Sequence, residues 1–122
     1  MVIEKLPYAL TVCKLSKAAD MDFNADFYFV ARTDEELSLV CKTADTPAAA
    51  TARDDGWRGF RVQGMLDFSL VGILSKLSGV LAERGIGLFA VSTYNTDYIL
   101  VKAENFDRAV DALSGAGYTV IA

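Results

Sequence analysis

The run Leu70–Gly85, LVGILSKLSGVLAERG, restricts the fold more than any other segment. Its apolar residues Leu70, Ile73, Leu74, Leu77, Val80 and Leu81 recur at helical spacing, so one stripe of an α-helix has to be buried against another element. Asp67 or Ser69 is placed to cap its start, Arg84 falls in its last turn, and Gly85 stands just past its end. The flanking sequence supplies the surface it packs on. WRGFRVQG, from Trp57, alternates as a strand does, and IGLFAVSTY and DYILVKA read as two strands around a polar turn. Asn105 then caps a second helix with Phe106, Ala109, Val110 and Leu113 facing inward; GAG ends it and YTVIA closes as a strand. The order is βαββαβ, which places both helices on one face of a four-stranded antiparallel sheet, the ferredoxin-like arrangement.

The first half repeats this order in reduced form. Laying FVARTDEELSLV, from Phe29, on AVSTYNTDYILV, from Ala90, makes Val30 meet Val91, Glu36 meet Asp97, Leu39 meet Leu100 and Val40 meet Val101. The same shift brings Gly56 onto Gly117 and Trp57 onto Tyr118. YALTVCKL is its first strand, FYFVART and LSLVCKT its hairpin, and TPAAATARDDG a short helix with Pro47 at its start. SKAADMDFNAD stands where the second half has a full helix. The expected fold class is therefore α+β: two ferredoxin-like units in tandem, residues 1–56 and 57–122, with antiparallel sheets, helices on one face and the first unit reduced. Trp57–Val62 matches the closing strand of one unit and the opening strand of the other, which points to a shared or exchanged strand.

Composition narrows the function. A net charge of -4 disfavours a nucleic-acid backbone or an anionic membrane as partner, since each calls for a basic face. No apolar run approaches the roughly 18 residues of a spanning helix, and MVIEKLPYAL lacks the marks of a secretion leader. A cytoplasmic protein is expected. Cys13 and Cys41 lie inside apolar runs without CxxC spacing and read as buried free thiols. The chain has no His, which removes the commonest general base, the Ser-His and Cys-His pairs and the usual zinc and haem ligands. No metal, cofactor or catalytic activity is expected.

The fold's common uses make demands that can be checked. Phe60 and Tyr98 fall on the strands where an RNA-recognition domain stacks bases, but the chain is acidic. QGMLDFS carries no cysteine pair for copper, and Arg58 and Arg61 precede the loop in which a phosphate-cradling enzyme needs its Arg. Small-ligand binding where the first strand meets the first helix remains, because unpaired N–H groups and the positive helix end favour a carboxylate there. Gly72 and Gly79 suit either close approach of a ligand or tight helix–sheet packing.

GMLDFSLVGILSKLSGVLAERGIGLFAVSTYNTDYILVK resembles the ACT domain, the amino-acid-binding regulatory module, and in particular the units of small bacterial tandem-ACT proteins and of the cytosolic arginine-sensor family. The likeness covers Trp57 to Val120, and LDFSLVGIL and STYNTDYILV carry it most strongly; TDEELSLVC extends it weakly into the first half. It implies binding and regulation without chemistry, with an amino acid held at the interface between units. By that resemblance Asp67, Phe68, Ser69, Leu70, Val71 and Gly72 form the loop that holds the α-carboxylate, and Thr93, Tyr94 and Asp97 contact the ligand. Asp97 would pair with an ammonium or cationic side chain and Tyr94 would offer a ring face or hydroxyl. A solvated hairpin residue is the plainer reading of Asp97, and a strand-edge hydroxyl that of Thr93. Arg32, Thr33 and Glu36 are candidates to complete the same pocket. The expected partners are an amino acid, a second copy in a homodimer and an unidentified protein; the alternative is a dimerisation or interaction module whose ligand site is vestigial.

Overall fold

In a computed structural model, which describes residues 1–64 and 72–122, the chain divides into two units, Met1–Pro7 with Arg58–Ala122 and Tyr8–Trp57. In chain order the elements are β1 (Val2–Lys5), β2 (Leu10–Leu15), β3 (Tyr28–Arg32), β4 (Leu37–Lys42), β5 (Ala52–Val62), α1 (Ile73–Glu83), β6 (Leu88–Ser92), β7 (Asp97–Lys102), α2 (Phe106–Gly115) and β8 (Thr119–Ile121). Among the described residues no helix is long and apolar enough to cross a membrane.

The first of these, the helical unit, is built on period-two alternation in the strands and the 3.6 period in the helices. Leu77 and Leu81 of α1 and Phe106, Ala109 and Leu113 of α2 are buried in one core with Phe60, Val62, Ile99 and Val101. Each large side chain removed from water there contributes roughly 1.5–3 kcal/mol. Both helices and the β6–β7 hairpin form where the sequence places them, but Asn105, at the N-cap position of α2, makes no side-chain cap hydrogen bond; its Oδ1 accepts from Arg108 Nη1 at 3.0 Å instead. α1 ends as foreseen, with Arg84 followed by Gly85 at φ +68° and the Ile86 N–H donating to the Leu81 carbonyl.

Its start differs. The N-cap position is Gly72, at φ +83°, so the first helical residue is Ile73. Asp67 and Ser69, the expected caps, lie outside the described residues, as do Phe68, Leu70 and Val71. A Cβ on Gly79 would meet nothing within 4 Å, so tight packing does not account for that glycine; Gly72 is accounted for by its left-handed backbone.

The sheet also departs from the expected four antiparallel strands. β7 pairs with β6 and β5, and β1 then enters between β5 and β8, antiparallel to β5 and parallel to β8. Residues 1–7, expected in the N-terminal unit, thus belong to the helical unit. The reason is packing: Ile3, opposite both Val62 and Val120, is 1% exposed and belongs to this core.

The second, the strand unit, has the order β3-β4-β2-β5, every pair antiparallel. Cys13, Leu15, Met21, Leu37, Leu39 and Cys41 form its core, with Tyr28 and Ala50 packed against them. A short 3-10 turn, Ala18–Asp20, stands where the helical unit has α1, and the 3-10 turn Thr43–Asp45 is followed by no counterpart of α2. The helix expected in TPAAATARDDG does not form. Its second half is strand, with Ala52, Arg53, Asp54 and Trp57 opposite Lys14, Cys13, Val12 and Leu10 of β2. That segment offers alanines where a helix needs an apolar stripe, and a short helix without tertiary burial is marginal. The pairing with β2 shifts register between Asp54 and Trp57, a β-bulge, and Gly56 sits there at φ +83°. β5 therefore answers the question of the shared strand: Ala52–Trp57 pair with β2 and Phe60–Val62 with β1.

The internal repeat runs in a slightly shorter register than expected. β3 (Tyr28–Arg32), β4 (Leu37–Lys42) and the turn Thr43–Asp45 recur as β6 (Leu88–Ser92), β7 (Asp97–Lys102) and the turn Ala103–Asn105. The structural counterpart of Asp97 is therefore Leu37, and that of Glu36 is Thr96. Cys13 and Cys41 are free and buried, and burial together with the neighbouring Cys41 pushes the Cys13 thiol from 9.0 up to about 11.

Candidate functional site

The β6–β7 turn, STYNTD, is held by its own hydroxyls. The Thr93 N–H and hydroxyl both donate to the Thr96 carbonyl (2.9 and 3.0 Å), and the Ser92 hydroxyl donates to Asp97 Oδ1 at 2.7 Å. Thr96, 6% exposed, donates its hydroxyl to the Val62 carbonyl at 2.7 Å. This bond ties the turn to the end of β5, from which the chain leads through residues 65–71 to Gly72 and the start of α1. The polar turn between the two strands thus has a local cause, since these hydroxyls close it and tie it to β5.

The sequence-predicted site residues distribute as follows. Gly72 occupies the N-cap of α1 and has no side chain with which to cap it. Thr93, Tyr94 and Asp97 share the turn, Tyr94 with 77% exposure and Asp97 at the first position of β7. Among the described residues Asp97 enters no salt bridge, which leaves its carboxylate with acceptor capacity for a cation. In the strand unit, Thr33 closes the corresponding turn, its hydroxyl accepting from the N–H groups of Glu35 and Glu36, both at 3.1 Å. Arg32, Thr33 and Glu36 are exposed. Thr96, the residue that joins turn to strand, was legible only as one more hydroxyl in a polar run.

Two arginines of β5 lie on opposite faces of the helical unit's sheet. Arg61 Nε donates to the Tyr98 hydroxyl at 3.0 Å and Nη1 to Glu4 at 3.1 Å, while Gln63 donates to the same Glu4 oxygen at 2.8 Å. Burial pulls the Arg61 pKa down, but the hydrogen bonds and charges of Tyr98 and Glu4 outweigh it and hold the guanidinium above its ordinary value.

Arg58 alternates with Phe60 and Val62 and so shares the core side. Its guanidinium lies 4.1 Å over the Phe106 ring, which itself stacks on Phe60 at 4.8 Å and 13°. Nη2 donates to the Leu6 carbonyl at 3.1 Å; Nε is buried with no partner among the described residues. Leaving such a donor unmatched costs about 1–3 kcal/mol. Arg58 also lines a cavity of about 590 Å³ with Glu4, Lys5, Leu6, Pro7, Phe106, Asp107 and Ala122. This place was missed in the sequence; the signal that could have found it is an Arg on the apolar side of a strand, although the residues around it are not readable from sequence.

Among the described residues no cluster of acidic residues and cysteines is arranged to hold a metal ion.

Comparison with known proteins agrees with this architecture. Among curated proteins none matches the sequence. A solved protein of Agobacterium tumefaciens is 32% identical and superposes with a TM-score of 0.86, over 98% of this chain and 92% of that one. A protein of unknown function from Vibrio cholerae matches at 21% identity and a TM-score of 0.73, over 91% of this chain and 85% of that one. The regulatory subunit of aspartate kinase from Thermus thermophilus shares the fold at 10% identity and a TM-score of 0.67, over 96% and 97% of the two chains. Residues 52–115, from the start of β5 to the end of α2, match the model of the ACT domain, and on that match the chain belongs to the ACT-domain family.

Proposed function

We propose that this protein is a non-catalytic sensor whose ligand is an amino acid and whose output is read by a partner or by pairing of two copies. ACT domains are in general small-molecule-binding regulatory domains. The observation that carries the finer reading is the 2.7 Å bond from Thr96 to the Val62 carbonyl, because it fixes the Thr93–Asp97 turn beside the strand exit that leads to α1. In this reading residues 67–72 and the first turn of α1 receive the α-carboxylate, a contact worth roughly 0.3–2 kcal/mol. The Asp97 carboxylate takes the ammonium, with Tyr94 and Thr93 bordering the ligand.

The tandem reading belongs to the same proposal. It is supported by the β3-β4-β2-β5 strand order of the strand unit and by the recurrence of its hairpin and 3-10 turn as β6, β7 and Ala103–Asn105. Pairing between copies is supported by strands β3 and β6, each of which has one strand neighbour among the described residues. A dimerisation module with a vestigial ligand site would use the same edges.

Thermal unfolding of the protein against each of the twenty amino acids separates the two readings, because a ligand that binds only the folded state raises the midpoint by mass action. The sensor requires a shift with one or a few amino acids that is lost in Asp97→Ala, with the variant still folded. Absence of a shift with all twenty favours the dimerisation module.

A further inference from the structure

The cavity beside Arg58 has no part in the sensor reading, and its lining points to a ligand of a different kind. We infer that it is a binding site for a small monocarboxylate with an apolar body. At about 590 Å³ it lies within the range of small-molecule sites, roughly 300–1,000 Å³. Its lining brings two cations, Arg58 and Lys5, next to the apolar surfaces of Leu6, Pro7 and Phe106. Neither cation enters a salt bridge among the described residues, and the nearest acid on β1, Glu4, is already engaged by Arg61 and Gln63.

The guanidinium is the recognition element. Its plane is fixed by the Phe106 ring at 4.1 Å and by the Nη2 bond to the Leu6 carbonyl, yet among the described residues it has no counter-ion and its Nε has no partner. A planar fork held in place without an anion is preorganised for a carboxylate. α2 adds to this, since Phe106 and Asp107 are its first two residues and the side chain of its N-cap residue, Asn105, makes no cap hydrogen bond. Asp107 at the wall opposes a second negative charge, so the site favours a monoanion over a dianion.

Titration of the full chain with benzoate, followed by amide chemical shifts, tests the site. The expected result is saturable shifts at Leu6, Arg58, Phe106 and Asp107, with affinity reduced about tenfold or more for neutral benzamide and in Arg58→Gln. Lys5→Ala, at a partly exposed position, lowers the affinity less, and succinate binds more weakly than benzoate. Because the site is separate from the β6–β7 turn, Asp97→Ala leaves the benzoate titration unchanged. Benzoate shifts that map elsewhere, shifts absent throughout, or equal binding of benzamide would overturn the assignment, and the wild-type map decides even if an Arg58 variant fails to fold.

Discussion

Two hairpins of this chain follow one plan and separate at a single residue. β3 and β4 close through Thr33 and β6 and β7 through Thr93, the first N–H of each turn donating to a carbonyl three residues on at 2.9 Å. Both continue through a lysine of nearly equal backbone, Lys42 at φ -58°, ψ 139° and Lys102 at φ -62°, ψ 141°, into a 3-10 turn. They part at Thr46 and its counterpart Phe106. Thr46 is extended, at φ -64° and ψ 123°, whereas Phe106 is helical, at φ -62° and ψ -46°. Thr46 precedes Pro47, whose ring disfavours helical backbone in the residue before it, and the alanines that follow offer no stripe to bury. Phe106 opens FDRAVDALSG, which buries Phe106, Ala109, Ala112 and Leu113. The lesson is that a hairpin and its exit are reproducible local structures, while the helix after them depends on having apolar residues to bury.

This contrast can be broken most forcefully at the core. Leu113→Ala, at a fully buried position of α2, is expected to cost about 2–5 kcal/mol. Ala50→Gly, in the segment that replaces the helix in the strand unit, is expected to cost at most about 1 kcal/mol. Urea unfolding measures both, and equal losses would mean that the connection packs as a helix does.

Next in size is a titration confined to the strand unit. The Cys13 pKa is raised in the folded protein, so its contribution is fully present below pH 9.0, the ordinary thiol value, and is lost as pH rises toward about 11. The loss reaches at most about 3 kcal/mol. Chemical denaturation across that range should show the decline, and Cys13→Ala should flatten it; an unchanged slope in the variant would assign the decline to other groups.

A smaller effect separates the two turns. Thr96→Val removes the bond to the Val62 carbonyl and should cost about 1–2 kcal/mol, whereas Glu36→Val at the exposed counterpart should leave the unfolding midpoint nearly unmoved. The smallest change runs the other way. Gly79→Ala inside α1, where a Cβ meets nothing within 4 Å, should stabilise the helical unit by about 0.5–1 kcal/mol. Destabilisation there would show that the outer face of α1 is packed in solution.

Of the candidate site, the turn was legible in the sequence and its anchor was not. STYNTD stood out as a polar break, yet Thr96 and Thr93 differ in role only because Val62 comes within 2.7 Å of one of them. Arg58 offered a signal that was missed, a charge on the core side of a strand, and its stacking on Phe106, which lies far along the chain, belongs to packing.

By itself the sequence determined the elements whose signals are local. The stripe Ile73, Leu74, Leu77, Val80, Leu81, the stop at Gly85 and the alternation of β6 and β7 each act within one or two turns or a few strand residues. What only the tertiary structure decided is pairing: β1 between β5 and β8, Ala52–Trp57 as strand, and a repeat register that sets Leu37 in place of Glu36 against Asp97. A strand's two-residue period states which face is buried but not which strand lies beside it. That choice is made by residues distant in the chain, as Ile3 makes it by filling the core beside Val62 and Val120.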